Sequence, residues 1–330
     1  MLCEHADMTR LAIIWNPSKT SRQDLETALD AVLEAAPGDT AADARVRWYE
    51  TSVEDAGQGV AARAVEDGAE VLVAAGGDGT VRAVAEYLGE SGADADLAIV
   101  PLGTGNLLAR NLGVPVGDVP AAFARALAPE ARPVDLGWFE ADLGEGPRRL
   151  AFAVMAGFGL DAHMITETDD DLKDRVGWLA YVESLGRALT ASETLDVTVT
   201  PDGGADEHAT VHTLLVGNCG MLQGGITLLP DADPRDGELD VLLLSAKGAA
   251  GWADTVRNMV WDNGLKRLAA GAGGGDSVVE AVSSDSAAHG RVRALRVELA
   301  EPRVVEVDGE DLGTATAFAV EVQAAAVRVR

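Results

Sequence analysis

The stretch VLVAAGGDGTVRAVAEYL, residues 71–88, decides the fold. Its first five residues form a continuous apolar run, which is typical of a strand buried on both faces of a sheet. A glycine-rich turn, residues 76–80, follows at once, and a helical pattern begins directly behind it. Glycines let the backbone approach phosphate oxygens, and a helix N-terminus supplies N–H donors and a partial positive charge. The stretch predicts a phosphate-binding turn, or else a purely structural turn in which Asp78 caps the helix.

A second stretch, PLGTGNLLARNLGVP at residues 101–115, repeats the order of apolar strand, glycine turn and helix. A third turn, residues 16–20 (Asn-Pro-Ser-Lys-Thr), leaves the first predicted strand. Loops at the carboxyl ends of neighbouring parallel strands converge on one crevice. Neither glycine turn has the Gly-Lys-Ser/Thr of a Walker loop or the dinucleotide fingerprint GxGxxG. The three turns therefore predict one shared binding crevice of another kind.

The first half of the chain alternates strands with helices, which predicts a parallel α/β sheet. The predicted strands are residues 11–15, 45–49, 71–75 and 97–102, and the predicted helices are about 21–36, 53–67, 80–89, 105–112 and 119–128. After about residue 135, period-2 alternation favours antiparallel strands with one solvated face. These strands are residues 151–160, 195–200, 209–218, 237–245, 293–300, 303–310 and 316–323, with helices at 172–190 and about 249–268 and a Gly/Ala/Ser-rich loop at about 269–289. We therefore predict an α/β domain over 9–137 and a β-rich domain over 138–330, with a cleft between them.

The charge balance excludes some partners. The 330 residues include 26 Lys or Arg and 54 Asp or Glu, a net charge of −28. Nucleic-acid binding needs a basic footprint, and simple adhesion to an anionic membrane needs one too. No stretch reaches the ~18 apolar residues of a spanning helix, and residues 1–8 lack a secretory signal. We therefore expect a soluble cytoplasmic protein without a nucleic-acid partner. Two cysteines and scattered histidines exclude a disulfide framework and make a zinc site improbable.

The two glycine turns, in this order and about 25 residues apart, resemble the diacylglycerol-kinase catalytic-domain family, which includes bacterial lipid kinases and sphingosine and ceramide kinases. Further segments resemble the same family: residues 15–17 (WNP), 134–137 (VDLG), 158–161 (FGLD), 228–241 (LLPDADPRDGELDV) and 307–310 (VDGE). NAD kinases share GGDGT, but VDGE and DGELDV on the same chain point to the lipid-kinase family.

The resemblance implies phosphoryl transfer from ATP to a lipid hydroxyl, in a cleft between a Rossmann-like nucleotide domain and an antiparallel β-sandwich-like domain. Carried over by position, Glu310 is the general base, and Asp78 lies beside the phosphates and a catalytic Mg²⁺. The implied nucleotide contacts are Asn16, Pro17, Ser18, Lys19, Thr20, Thr51, Gly76, Gly77, Asp78, Gly79, Thr80, Val81, Arg82, Ala83 and Thr104. Asp233, Asp236 and Glu238 match a second, structural Mg²⁺ site in which some ligands are backbone carbonyls. The chemistry agrees, because a carboxylate can accept a proton and Mg²⁺ prefers hard oxygen ligands. The residues alone leave two alternatives open, a hairpin turn at 308–310 and an acidic surface loop at 230–238.

The chain departs from the family pattern at the candidate site. Arg82 and Ala83 stand where Asn-Glu is common, and Leu107 follows Asn106 where Asp is frequent. Arg82 either adds positive charge near the phosphates or points along the helix surface. The rival functions are a NAD kinase-like enzyme and a nucleotide- or lipid-binding module that has lost turnover.

The expected partner is a lipid alcohol at the inner face of the membrane, reached by peripheral contact, and a homodimer is left open. Because the chain carries a charge of −28, we expect docking through apolar contacts or a local arginine cluster.

Overall fold

The computed structural model describes residues 10–35, 45–144, 146–159, 194–222, 227–245 and 287–330. In these ranges the helices are α1 (Arg22–Ala35), α2 (Gln58–Glu66), α3 (Asp78–Ser91), α4 (Leu107–Asn111) and α5 (Val119–Ala126). The strands are β1 (Arg10–Trp15), β2 (Arg45–Glu50), β3 (Val71–Gly76), β4 (Asp96–Pro101), β5 (Arg132–Asp142), β6 (Pro147–Phe152), β7 (Met155–Phe158), β8 (Leu195–Pro201), β9 (Glu207–Val211), β10 (Thr213–Gly217), β11 (Leu239–Leu244), β12 (Ala287–Val292), β13 (Ala294–Val307) and β14 (Glu310–Val329). The helices predicted at 172–190 and 249–268 and most of the loop predicted at 269–289 lie outside the described residues.

The first half forms the predicted parallel sheet, with its strands in the order β2-β1-β3-β4. Every residue of β3 and β4 is buried, which explains why their sequences are apolar throughout except for Asp96 at the start of β4. α1 packs against α5, and α2 packs against α3. After β1 the chain continues to β2 on one side of the sheet, and after β3 it continues to β4 on the opposite side. Ligands bind outside the carboxyl ends of the strands at such a reversal of strand order, so the favoured position lies between the loops that follow β1 and β3.

The second half is antiparallel, as the period-2 alternation predicts. Its strands run in the order β12-β11-β10-β7-β13-β14, with β5 and β6 added beside β14 and β8 and β9 beside β13. β13 alternates buried and exposed residues over its first half, because one face covers a separate core. That core contains Phe139 and Phe318, whose rings stack with centroids 5.2 Å apart. The fold class is thus an α/β domain joined to an antiparallel β domain, as predicted.

The last strand joins the two halves. β14 pairs antiparallel with β13 and β5, and its final residues pair parallel with β4, Arg328 opposite Asp96. Each carboxylate oxygen of Asp96 accepts a hydrogen bond at 2.8 Å, one from Arg328 and one from Arg330. The end of the chain therefore completes the edge of the first sheet, and the described strands form one continuous mixed sheet.

Four predicted strands are divided or merged in the structure. The stretch 209–218 divides at His212 into β9 and β10. The stretch 151–160 divides into β6 and β7, because the N–H groups of Ala153 and Val154 donate to the Asp308 carboxylate and do not pair with a strand. Two predicted strands, 293–300 and 303–310, are largely one strand, β13. An irregularity in its pairing between Glu298 and Arg303 accommodates Pro302.

Candidate active site

The two glycine turns touch each other through their backbones. A β-carbon built on Gly103 would lie 2.7 Å from the α-carbon of Gly77 and 3.0 Å from Oδ1 of Asn106. Such distances leave no room for any side chain at position 103. The glycines are therefore required by close packing of the loop after β3 against the loop after β4, and together they form a surface made of main chain.

Asp78 holds these two loops together. Its Oδ2 accepts a hydrogen bond from the Asn106 N–H at 2.8 Å, and its Oδ1 accepts one from the Leu107 N–H at 2.6 Å. The carboxylate therefore caps α4, and the alternative that it caps its own helix is wrong, since Gly77 is the N-cap of α3 and provides no side-chain bond. Asn106 adopts a left-handed conformation with φ 49° and bonds Gly103 through both ends of its amide. The two turns form one locked unit.

The amino end of α3 and Lys19 make this unit attractive to an anion. The N–H groups of Asp78 and Gly79 start the helix, and the first N–H groups of a helix have no carbonyl partner within it. The positive end of the helix dipole lies at the same place. A β-carbon built on Gly77 would lie 3.9 Å from Cε of Lys19, so this lysine lies over the turn. The chain therefore offers backbone donors, a dipole and an ammonium group on one side of the crevice.

The remaining predicted nucleotide contacts divide into residues of the loops that follow the strands and residues of α3. Oδ1 of Asn16 accepts from the N–H and hydroxyl of Ser18 at 2.9 and 2.7 Å, which closes the turn after β1. Thr104 is exposed in the turn after β4. Thr51 is buried and its hydroxyl donates to the Trp15 carbonyl at 3.3 Å. The second group lies on α3, and its side chains at Thr80, Val81 and Ala83 are buried. These three residues can therefore reach a ligand only through their backbone.

Residues 307–310 form a two-residue hairpin turn. Val307 pairs with Glu310, while Asp308 and Gly309 have positive φ values of 49° and 81°. Asp-Gly at these positions is favoured because both central residues of such a turn are left-handed. The Asp308 carboxylate also accepts three consecutive backbone N–H groups, from Ala153, Val154 and Met155, at 2.8, 2.9 and 3.0 Å. The predicted hairpin turn is thus present, and it is fixed against the bend between β6 and β7.

This turn brings Glu310 to the helix that follows the first glycine turn. Oε2 of Glu310 accepts a hydrogen bond from Nη2 of Arg82, and Nη1 of Arg82 lies 3.9 Å from Oε2 of Glu86. The side chain of Glu310 is 58% exposed, against 13% for Arg82. Arg82 therefore points at Glu310 rather than along the helix surface. The Glu310 carboxylate therefore faces α3 at Arg82, one helical turn after the first glycine turn.

The three predicted ligands of a structural Mg²⁺ do not form a carboxylate cluster. Asp236 and Glu238 each lie 3.9 Å from Nη1 of Arg291, and Asp240 lies 3.7 Å from its Nε. Burial raises the pKa of Asp236 and raises that of Asp240 to about 6. The carbonyl of Asp233 accepts the N–H of Arg235 at 2.7 Å. Across the described ranges no three His, Cys, Asp or Glu side chains gather as a metal site, so the side chains do not fit the ion, and a magnesium ion at this loop stays a prediction.

The sequence analysis did not predict the roles of two buried carboxylates near the site. Glu86 is buried and accepts from Gln58 Nε2 and from the Ala151 N–H, at 2.5 and 2.9 Å. Asp135 is 2% exposed, and its carboxylate accepts the N–H groups of Gly237 and Ala325. A signal existed for Glu86, since it stands four residues after Arg82 on one helix face. Asp135 lies in the VDLG segment at 134–137, but that segment did not reveal its role, because its partners are about 100 and 190 residues away along the chain.

Comparisons with known proteins identify the family of the chain. The family described as diacylglycerol kinase catalytic domain matches residues 10–139, and the YegS C-terminal NAD kinase beta sandwich-like domain matches residues 154–262. A Pseudomonas aeruginosa protein named "Probable lipid kinase YegS-like" is 34% identical over 311 residues, covering 93% of this chain and 89% of that protein. Its namesake from Xanthomonas campestris is 30% identical, covering 96% and 94%. A solved diacylglycerol kinase from Bacillus anthracis superposes with a TM-score of 0.66 at 20% identity, covering 98% and 96%.

The fold and the site define a kinase built from an α/β domain and a β-sandwich-like domain. The chain belongs to the family of YegS-like lipid kinases, within the diacylglycerol kinase catalytic-domain group. Within the described ranges, no helix has the length and apolar character needed to cross a bilayer.

Proposed function

We propose that this protein transfers the γ-phosphoryl group of ATP to the hydroxyl group of a lipid alcohol, with diacylglycerol as the first candidate acceptor. One observation carries the proposal: Glu310, on the β domain, meets α3 through Arg82, and α3 begins at the two packed glycine turns. A proton acceptor and a phosphate-binding surface thus face each other across one cleft. The family membership supports a kinase, and the names of the relatives support a lipid acceptor.

The loops after β1, β3 and β4 are suited to hold the phosphates of ATP. Positions 77 and 103 carry no side chain, and the two turns pack there main chain to main chain, so no side chain at these positions blocks phosphate oxygens from the N–H groups at the start of α3. Lys19 adds a positive charge beside this surface. Donors that are already in place stabilise charge that develops in a transition state, since they need no reorganisation during the reaction. These residues therefore bind and orient the phosphoryl donor.

Glu310 is suited to accept the proton of the attacking hydroxyl. The acceptor oxygen forms a bond to the γ-phosphorus, the bond from that phosphorus to the β–γ bridging oxygen breaks, and the hydroxyl proton moves to the Glu310 carboxylate. ADP and the phosphorylated lipid are the products. A positioned general base contributes about 10²- to 10⁴-fold to a rate. Mg²⁺ generally neutralises the phosphate charge in such reactions, and Asp78, whose two oxygens each accept a backbone N–H here, lies at the loops where it would act.

We propose that the acceptor is reached by peripheral contact with a membrane. The overall charge of −28 repels anionic lipids, so a local basic region is needed. Burial and the like charges of Arg132 and Arg235 lower the pKa of Arg125, so the three guanidinium groups are near enough to interact electrostatically. We propose these three arginines as the local basic region of an otherwise acidic chain. Flotation with vesicles of phosphatidylcholine and phosphatidylglycerol tests it, and a double substitution of Arg132 and Arg235 to Gln should reduce binding.

The test of the activity is an acceptor screen by mass spectrometry. Purified protein is incubated with ATP, Mg²⁺ and mixed micelles containing diacylglycerol, sphingosine or ceramide, and in parallel with NAD. We expect one phosphorylated lipid, with Glu310→Gln slowing its formation about 10²- to 10⁴-fold. Glu298→Gln, a change at an exposed glutamate on β13, is the control and should keep wild-type activity.

The alternative outcomes distinguish the rival functions. Formation of NADP without any phospholipid product would establish a NAD kinase-like enzyme. Binding of ATP by calorimetry without transfer to any acceptor would establish a module that has lost turnover. Full activity of Glu310→Gln would remove the general-base assignment while leaving the lipid kinase activity intact.

A further inference from the structure

Arg82 belongs to a chain of polar contacts that crosses from the α/β domain to the β domain. Gln58 on α2 donates to Glu86 on α3 at 2.5 Å, and Glu86 lies 3.9 Å from Arg82. Arg82 then donates to Glu310, at the first position of β14. The side chains of Glu86 and Arg82 are 9% and 13% exposed, so this part of the chain of contacts is screened from water. Charged contacts in such an environment are stronger than on an open surface.

Glu86 and the hairpin turn that carries Glu310 are both anchored on the same short segment, residues 151–155. The Ala151 N–H donates to Oε2 of Glu86 at 2.9 Å, which fixes α3 against β6. The N–H groups of Ala153, Val154 and Met155 donate to Asp308, which fixes the hairpin turn carrying Glu310. Arg82 connects these two anchored parts, because it contacts both Glu86 on α3 and Glu310 beside the turn. The Glu310 side chain is itself largely exposed, and among the contacts of the described residues its bond to Arg82 is what gives it one orientation.

We propose that Arg82 is a positioning residue for Glu310: held by Glu86, it sets the direction of the Glu310 carboxylate relative to the glycine turns. This inference rests on the proposed function, in which Glu310 accepts the acceptor's proton. Arg82 acts through Glu310 and not through the phosphates. A misplacement of a catalytic group by about 1 Å costs on the order of 10²-fold in rate, so loss of the contact should lower kcat while leaving ATP binding unchanged.

The test is a double-mutant cycle on phosphoryl transfer to diacylglycerol in mixed micelles. Arg82→Met keeps the length of the side chain without its charge and should lower kcat about 10- to 100-fold, with the KM for ATP within about twofold of wild type. In the Glu310→Gln background the same substitution should have almost no further effect, because the group that it positions no longer accepts a proton. Arg82→Lys should recover part of the lost rate. Arg10→Ala, which breaks an ion pair with Glu70 at the amino edge of the sheet, is the control and should leave kcat unchanged.

Several results would overturn the inference. An equal loss in both backgrounds, or a raised KM for ATP, would show that Arg82 contacts the phosphates directly. A rise in kcat in Arg82→Met would show that the ion pair restrains Glu310 instead of aligning it. A second measurement does not depend on the acceptor: hydrogen exchange of the amides at 306–311 should be faster in Arg82→Met than in Arg10→Ala. Unchanged exchange would overturn the positioning role, whether or not the protein phosphorylates any acceptor. Absence of phosphorylation of every acceptor is a separate result, and it would overturn the proposed function.

Discussion

The two sides of the cleft are built by different means. On the α/β side, the loops after β3 and β4 meet backbone to backbone, and short side chains lock them. On the β side, Glu310 depends on the Asp308 carboxylate, which accepts three N–H groups, and on one ion pair with Arg82. The first side should therefore be sensitive to added volume, and the second to lost charge or lost hydrogen bonds. The contrast suits the two ligands, since phosphates are bound by donors of fixed geometry and a proton acceptor must be an ionisable side chain.

The largest effect should come from Asp308→Ala. Three N–H groups would lose their acceptor, and an unsatisfied donor costs about 1–3 kcal/mol when it is buried. We expect a loss of about 3–5 kcal/mol in the free energy of unfolding, and a fall in phosphoryl transfer because the turn that carries Glu310 is released. Urea denaturation measures the first and the acceptor assay the second.

The control for this change is another hairpin turn of the same local geometry. Asp202 is left-handed with φ 50°, precedes a glycine, and accepts the N–H groups of Arg293 and Ala294 at 2.8 and 2.9 Å. Asp202→Ala should lower stability and leave activity per folded molecule unchanged. Equal losses of activity in the two variants would show that the turn at 308 has no special relation to the site.

Added volume on the α/β side should come next. In Gly103→Ala the new methyl group would stand 2.7 Å from the α-carbon of Gly77, so the two loops must separate. Overpacking of this kind costs about 1–3 kcal/mol, and we expect ATP affinity, measured by calorimetry, to fall at least about tenfold. Gly290→Ala, where a β-carbon meets nothing within 4 Å, is the matched control. Unchanged ATP binding in Gly103→Ala would show that the two turns do not form the phosphate surface.

The β side should also contribute a pH dependence. Burial lowers the pKa of His212 below its ordinary value near 6.5. The unfolded chain therefore takes up this proton at a higher pH than the folded protein does. The contribution of His212 to stability is full above about pH 6.5 and is lost as the pH falls through the lower folded pKa, with a slope of at most about 1.4 kcal/mol per pH unit.

The matching measurement compares two histidine variants. His212→Gln should flatten the dependence of the free energy of unfolding on pH between about pH 7 and pH 5. His208→Gln, at an exposed histidine whose Nδ1 lies 3.0 Å from the Thr198 hydroxyl, is the reference variant with which the His212→Gln profile is compared. Identical pH profiles of wild type and His212→Gln would contradict the prediction.

The smallest effect should come from Arg291→Ala. Its guanidinium lies 3.7–3.9 Å from three carboxylates, two in the loop 230–238 and one on β11, but a half-exposed pair contributes only about 0.2–1 kcal/mol. We expect a loss in that range which shrinks as salt is added. Arg296→Ala, at a more exposed pair with Glu298, should cost less. A loss of several kcal/mol in Arg291→Ala would mean that charge organises this loop far more strongly than the distances indicate.

Much of the fold was predictable because its signals are local. The apolar runs of β3 and β4, the glycine turns behind them and the alternation of β13 each reflect burial or backbone freedom within a few residues. The division of 151–160 into two strands was not predictable, since it depends on Asp308, more than 150 residues away along the chain.

The sequence by itself determined the two kinds of domain, the family and the residue types at the cleft, because these depend on periodicity and on short motifs. Only the tertiary structure decided that Asp78 caps α4, that Arg82 points at Glu310, and that Glu86 and Asp308 are anchored on neighbouring N–H groups. Each of these is a contact between elements far apart in the chain. The direction of a side chain follows from what packs around it, and no motif of a few residues contains that information.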